Sequence, residues 1–297
     1  MSDLSRRTFI GTTVGTTLAM AARAASDYRI IDSHVHTWRH DPEFPFAPGV
    51  NPNRDAAPET VLEHMKSNGV SKTVLIQMIH YKYDNRFLLH VLKQYPGTFR
   101  GVCRVDPLDA AAPDYLSKLT EEGIHGVRLS PGRGEAGDWI AGPLMPPLWK
   151  RCHELKVPMT VLAPIGRMPQ LAQLMEPLPD LKLVIDHMAD CPVDQPDELE
   201  KLIALKRYPN VFVKVSHTWS LSHQPYPWLD SQELVKRLHA AFGPQRLMWG
   251  TDWPIIEGKA QYSQALTVVR DDMKFLNAED KAWMLSKTIE RVWPFPA

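Results

Sequence analysis

Two histidines one residue apart close the run Ile30-Ile31-Asp32-Ser33-His34-Val35-His36. Residues i and i+2 of a β-strand point to the same side, so His34 and His36 can aim both imidazoles at one point. An imidazole is a ligand for divalent ions and a proton carrier near neutral pH, so the pair forms half of a metal site or half of an acid/base site. Further along, other apolar runs also end in polar groups: Gln77, Arg104 with Asp106, Arg128, Asp186 with His187, Lys214 with His217, and Asp252. Any one of these alone reads as a buried group satisfied by backbone. Their recurrence at run after run points to a shared polar rim.

The elements that must carry this rim are eight short apolar runs, at 30–36, 72–78, 100–106, 124–130, 158–163, 181–187, 210–216 and 245–251. Helical segments follow them at 59–68, 85–95, 113–122, 144–156, 168–175, 199–208, 232–242, 262–275 and 278–291. Runs apolar at nearly every position are strands covered on both faces. Their alternation with helices predicts a single-domain (β/α)8 TIM barrel, in which functional groups gather at the carboxyl ends of the strands. An open doubly wound sheet would show the same alternation but more often carries a Gly-rich phosphate turn after its first strand, where this chain has His-Val-His. The stretch 37–57 holds Trp38, two phenylalanines and several prolines without helical period, and is expected to be a flap over the rim.

Length and composition agree with one large domain. The chain has 297 residues, 44% hydrophobic and 23% charged, and its 34 basic side chains balance 34 acidic ones. Nothing in that balance points to nucleic acid or to an anionic membrane surface. Cys103, Cys152 and Cys191 have no paired spacing, which argues against a disulfide framework or a cysteine zinc site. Ser5-Arg6-Arg7-Thr8-Phe9-Ile10 places two arginines before an apolar segment, and Ala22-Arg23-Ala24 follows as a small-residue cleavage site. Residues 1–24 are therefore expected to be a twin-arginine-type signal peptide, too short for a membrane anchor, with the barrel at 25–297. The expected partners are the twin-arginine export machinery and a small-molecule substrate, and the expected location is the periplasm.

The motifs Ile31-Asp32-Ser33-His34-Val35-His36, Gly126-Val127-Arg128-Leu129, Val184-Ile185-Asp186-His187-Met188 and Leu247-Met248-Trp249-Gly250-Thr251-Asp252-Trp253-Pro254 resemble the amidohydrolase superfamily. The likeness is to its amidohydrolase-related (amidohydrolase 2) branch, home of lactonases, and it spans residues 30 to 254. The resemblance implies that His34, His36, His187 and Asp252 hold one divalent metal, with zinc the expected ion. It also implies that Asp252 takes a proton from the attacking water. Some relatives use these groups without metal, as hydrogen-bond partners, so a metal-free centre stays open.

Two-metal members of the superfamily carry a lysine or glutamate on the fourth strand and a histidine on the fifth. Here Arg128 and Val161-Leu162-Ala163 stand there, which argues against a binuclear centre. A guanidinium has no lone pair to give a metal, but it can clamp a carboxylate or polarise an acyl oxygen. Asp252, His187 and Arg128 are thus the expected catalytic groups, and Arg128, Arg104, Lys214 and His217 the expected substrate-binding ones. The resulting expectation is a hydrolase that opens a lactone or similar cyclic ester of a small anionic substrate. A metal-dependent non-oxidative decarboxylase and an inactive ligand-binding barrel are the rival readings.

Overall fold

A computed structural model describes residues 28–130 and 139–296. The expected export signal lies outside the described residues, as does part of the loop that follows residue 130. Eight parallel strands pair in chain order: β1 (Ile30–Val35), β2 (Val70–Ile76), β3 (Phe99–Arg104), β4 (Gly126–Leu129), β5 (Met159–Val161), β6 (Leu183–Ile185), β7 (Val211–Val215) and β8 (Leu247–Trp249). Helices α1 (Pro58–Asn68), α2 (Arg86–Gln94), α3 (Ala112–Glu121), α4 (Met145–Leu155) and α5 (Met168–Met175) cover the first strands. Helices α6 (Glu200–Ile203), α7 (Thr218–Leu221), α8 (Leu229–Phe242), α9 (Tyr262–Thr267), α10 (Ala278–Ala282) and α11 (Thr288–Val292) complete the ring. No helix among the described residues is long and apolar enough to cross a membrane.

Period-two alternation sorts each strand between two cores. Leu75, Cys103, Val127, Val161, Ile185, Val213 and Trp249 pack outward with the helices. Ile31, Val74, Val102, Val184, Phe212 and Met248 point to the axis, where Ile289, Val292, Trp293 and Phe295 join them as a floor plug. Gly126 is required here, because a Cβ would lie 2.9 Å from the Trp293 indole nitrogen. Two residues further along β3, β4, β6 and β7 the same inward face turns polar: Val102 is followed by Arg104, Gly126 by Arg128, Val184 by Asp186 and Phe212 by Lys214. The interior is thus an apolar floor beneath a charged upper layer.

The barrel closes between β1 and the segment after β8. His36 N donates to Trp253 O at 2.8 Å and Asp252 N to His34 O at 2.9 Å. Asp32, fully buried, knits the seam from inside. Its Oδ1 accepts from the backbone N–H groups of His34 and Thr251, each at 3.0 Å, and its Oδ2 from Thr251 Oγ1 at 2.6 Å and Tyr262 Oη at 2.8 Å. Burial pushes the Asp32 carboxyl up to about 6 although all four contacts act the other way. Gly250 lets the backbones approach, since a Cβ there would meet His34 Cβ and Ser33 Oγ at 2.9 Å.

Some elements differ from expectation. The amphipathic stretch 199–208 is not one helix: 3-10 turns at Pro196–Leu199 and Ala204–Arg207 flank the short α6. Leu199, Leu202 and Leu205, all buried, are three residues apart, which suits the tighter three-residue turn. The segment expected as a helix at 262–275 is α9 followed by a π-helical turn, Val268–Asp272. In the stretch 37–57, Trp38 pairs antiparallel with Ala56 and donates from its indole to Arg54 O at 2.7 Å, so the loop is pinned back on itself.

Replacing Asp32 by Ala leaves four buried donors without their acceptor. We expect a loss of about 3–5 kcal/mol in unfolding free energy, read by denaturant titration. A loss below about 1 kcal/mol would show that the seam does not depend on this carboxylate.

Candidate active site

The expected site residues do converge. His34, His36, His187, Lys214 and Asp252 are buried around the carboxyl ends of β1, β6, β7 and β8, with Arg104 and Arg128 beside them on β3 and β4. Three of the positions depend on left-handed backbone: His187 at φ 51, His217 at φ 62 and Asp252 at φ 58. Met188, Ala189 and Asp190 continue the left-handed turn after His187. Such conformations cost about 1–3 kcal/mol each for a side-chain-bearing residue and persist only where surrounding contacts enforce them. They turn each side chain back over the strand ends.

His36 Nδ1 lies 2.8 Å from Ile76 O, so that nitrogen carries the proton and Nε2 keeps its lone pair. That lone pair meets His34 Nε2 at 3.2 Å and Asp252 Oδ1 at 3.1 Å, while His34 Nε2 and Asp252 Oδ1 are 3.4 Å apart. Asp252 Oδ1 accepts no hydrogen bond from the described residues. A tetrahedral ion with bonds of ~2.0–2.1 Å has donor-to-donor edges of ~3.3–3.4 Å, so this triangle is of the right size for one divalent ion.

Two other groups of potential ligands are excluded by their own contacts. His34, Asp186 and His187 form one. There the Lys214 ammonium already sits 3.0 Å from His34 Nδ1 and 3.1 Å from Asp186 Oδ1, where a second cation would go. His187, His217 and Asp252 form the other. In it His217 Nε2 and Asp252 Oδ2 are 2.6 Å apart, a hydrogen-bond distance too short for an edge of a metal polyhedron. The arrangement therefore suits a single ion on His34, His36 and Asp252. His187, expected as a fourth ligand, places Nδ1 2.8 Å from Ser216 Oγ and stacks on His217, with ring centroids 3.6 Å apart, so an ion could reach it only through Nε2. An ion at His34 Nε2 requires the tautomer with the ring proton on Nδ1; that N–H is then directed at Asp186 Oδ1, 3.4 Å away, and Lys214 pairs with Asp186 rather than donating to the His34 nitrogen.

Electrostatics separates the imidazoles. Burial and the nearby Lys214 charge lower His34 to about 3, and burial with the His217 charge holds His187 well below its usual range, so both are neutral. Burial acts to lower His217 too, but its contacts with Asp190 and Asp252 outweigh that and raise it to about 9. It is an imidazolium at neutral pH. Burial acts to raise Asp252, yet the hydrogen bond from His217 and the charge on that ring hold it well below the usual carboxylate range. Asp186 is held low in the same way against its burial, by Lys214, His34 and Arg128.

Arg128 donates from Nε to Asp186 Oδ2 at 2.8 Å, which leaves its terminal amino groups as the part able to meet a ligand. Arg104 is the direct register partner of Arg128 and donates to Ser130 Oγ. Two guanidiniums side by side give this flank of the site a positive field. Lys214 and His217, expected to bind substrate, contact His34, Asp186 and Asp252. In the sequence Asp186 stands out only as a polar group at a run end, and Asp32 only as part of the first motif. Its one signal was a lone charged residue inside an otherwise apolar strand. Trp253 is buried in the seam with its indole donating to Glu257 at 2.6 Å.

Comparison with known proteins gives the family and the fold. A family model described as amidohydrolase matches residues 31–295. An L-fucono-1,5-lactonase of Burkholderia ambifaria is 27% identical over 232 residues, covering 76% of this chain and 80% of that protein. A 2-pyrone-4,6-dicarboxylate hydrolase of Comamonas testosteroni is 26% identical over 236 residues, 75% of this chain and 76% of that one. A crystal structure from Pseudomonas putida, provisionally assigned as a 2-pyrone-4,6-dicarboxylic acid hydrolase, superposes with a TM-score of 0.77 at 27% identity, covering 89% of this chain and 97% of that chain.

If the triangle is the ion site, the purified protein takes up about one divalent ion per chain by elemental analysis. Replacing His36 by Ala should remove most of it. Retention of a full equivalent by that variant would exclude the triangle.

Proposed function

Since the chain belongs to the amidohydrolase family, we propose that it is a hydrolase that opens a lactone of a small anionic substrate. The observation that carries this reading is the Asp252 carboxylate, ionised, held at Oδ2 by His217 and open at Oδ1 toward His34 and His36. The named relatives support the substrate class, because the fucono-lactonase and the pyrone-dicarboxylate hydrolase both act on cyclic esters. The adjacent guanidiniums of Arg104 and Arg128 support an anionic substrate.

In this reading Asp252 takes a proton from water as the oxygen adds to the lactone carbonyl carbon. The ring C–O bond then breaks, and Asp252 returns the proton to the departing ring oxygen, giving the hydroxy acid. Arg128 offers its terminal amino groups to the carbonyl oxygen or to a substrate carboxylate. Neutral His187 is the further donor beside the carbonyl. His34, His36 and Asp252 would hold one zinc ion, and when bound it supplies Lewis-acid charge next to the carbonyl. Asp186 and Lys214 keep the His34 ring in place behind them. The decarboxylase reading draws on the same residues, but the named lactone hydrolases align over three quarters of the chain and favour ring opening. Arg6 and Arg7 before an apolar segment support export in folded form to the periplasm, with the barrel starting near residue 25.

A panel of anionic and neutral lactones, followed by proton release with zinc-loaded and chelated enzyme, tests the reading. We expect turnover of one or more carboxylated lactones, weaker turnover of neutral ones, and loss of at least ~1,000-fold in kcat for Asp252→Asn with the fold unchanged by circular dichroism. Full activity in Asp252→Asn, or carbon dioxide release from aromatic acids without ring opening, would replace it.

A further inference from the structure

The end of β7 contributes three polar side chains to the centre, and each is committed to a different member of it. Lys214 Nζ lies 3.0 Å from His34 Nδ1, Ser216 Oγ 2.8 Å from His187 Nδ1, and His217 Nε2 2.6 Å from Asp252 Oδ2. Lys214 and Ser216 share the inward face by strand alternation. His217 would face outward if the strand continued, but its left-handed backbone ends β7 and folds the ring back over His187, to which it lies parallel within 3°. Trp219 flanks the same ring at 4.9 Å between centroids, and Asp190 Oδ1 stands 3.7 Å from its Nδ1.

We infer that Lys214-Val215-Ser216-His217 is the positioning element of the centre, and that His217 is the residue that aims Asp252, outside the substrate-binding surface. A substrate could recruit the His217 ring only by breaking the short contact to Asp252 and leaving that buried carboxylate without its nearest donor. With Oδ2 held by His217, Asp252 can present only Oδ1 to His34 and His36. Chain geometry assigns the work in one stretch: Lys214 sets the first histidine, Ser216 the β6 histidine and His217 the carboxylate. The inference deepens the lactonase reading and rests on it for the kinetic readout alone.

The test compares His217→Phe, which keeps a flat ring for the stack but has no donor, with His217→Gln, which restores one. For His217→Phe we expect a crystal structure in which the Asp252 carboxylate turns away from His34 and His36. Zinc affinity, measured by competition with a chromophoric chelator, should fall about 10–100-fold. The kcat for the lactone should fall by a similar factor with KM within about twofold, and His217→Gln should recover most of both. An unmoved Asp252 with unchanged zinc affinity, or a raised KM at full kcat, would make His217 a substrate contact and overturn the inference. Should His217→Phe fail to fold, Ser216→Ala provides the second reading: a lower kcat at constant KM supports the positioning element, and unchanged kcat refutes it. If the wild-type enzyme opens no lactone, the functional reading fails by itself, while the Asp252 orientation and zinc affinity still decide the role of His217.

Discussion

The carboxylate of Asp32 holds together two parts of the chain that the chemistry needs side by side. Residues 32 and 251 are joined by hydrogen bonds across a seam that the sequence separates by more than two hundred positions. His34 and His36 come from one side of that seam and Asp252 from the other, so the triangle they form inherits its dimensions from the closure. An ion of fixed bond length tolerates only a few tenths of an ångström in the separation of its donors. The barrel's geometry and the centre's geometry are one constraint, and Gly250 belongs to it because any side chain there would hold the two backbones apart.

Charge inside the barrel obeys a similar economy of position. Arg128, Asp186 and Lys214 form a buried chain of opposite charges in which Asp186 takes an Arg at one oxygen and a Lys at the other. Buried ion pairs contribute little net stability, because desolvation offsets most of the attraction. Their value here lies in direction: Lys214 and Asp186 bracket one nitrogen of His34 and so decide what the other can do. The left-handed residues at 187, 217 and 252 add strain at the same rim, which is where a fold that turns functional side chains inward must accept it.

Much of this was legible in the sequence. The eight apolar runs contain or overlap all eight strands, because a doubly covered strand has few ways to hide its composition. The polar groups at the run ends landed on one rim for the same reason. Pairings across the barrel were less legible. Lys214 sits in Val-Phe-Val-Lys-Val, and nothing local tells a substrate contact from a partner of His34, 180 residues away in the chain. His217 depends on a left-handed backbone that its own residue type does not announce, so its commitment to Asp252 could not be read from spacing. The short elements around 199–208 and 268–272 were misjudged because apolar period alone does not separate α-helix from its tighter and wider relatives.

The floor of the barrel is formed by Ile289, Val292, Trp293 and Phe295, which fill the axis beneath the polar layer and bring the Trp293 ring within 5.4 Å of Lys214 Nζ. In chain order this floor follows all eight strands, so it leaves the ribosome after them. The inward faces of the strands pack on one another, but the lower end of the interior lacks its plug until then, and apolar surface left open in this way is what incompletely folded chains associate through.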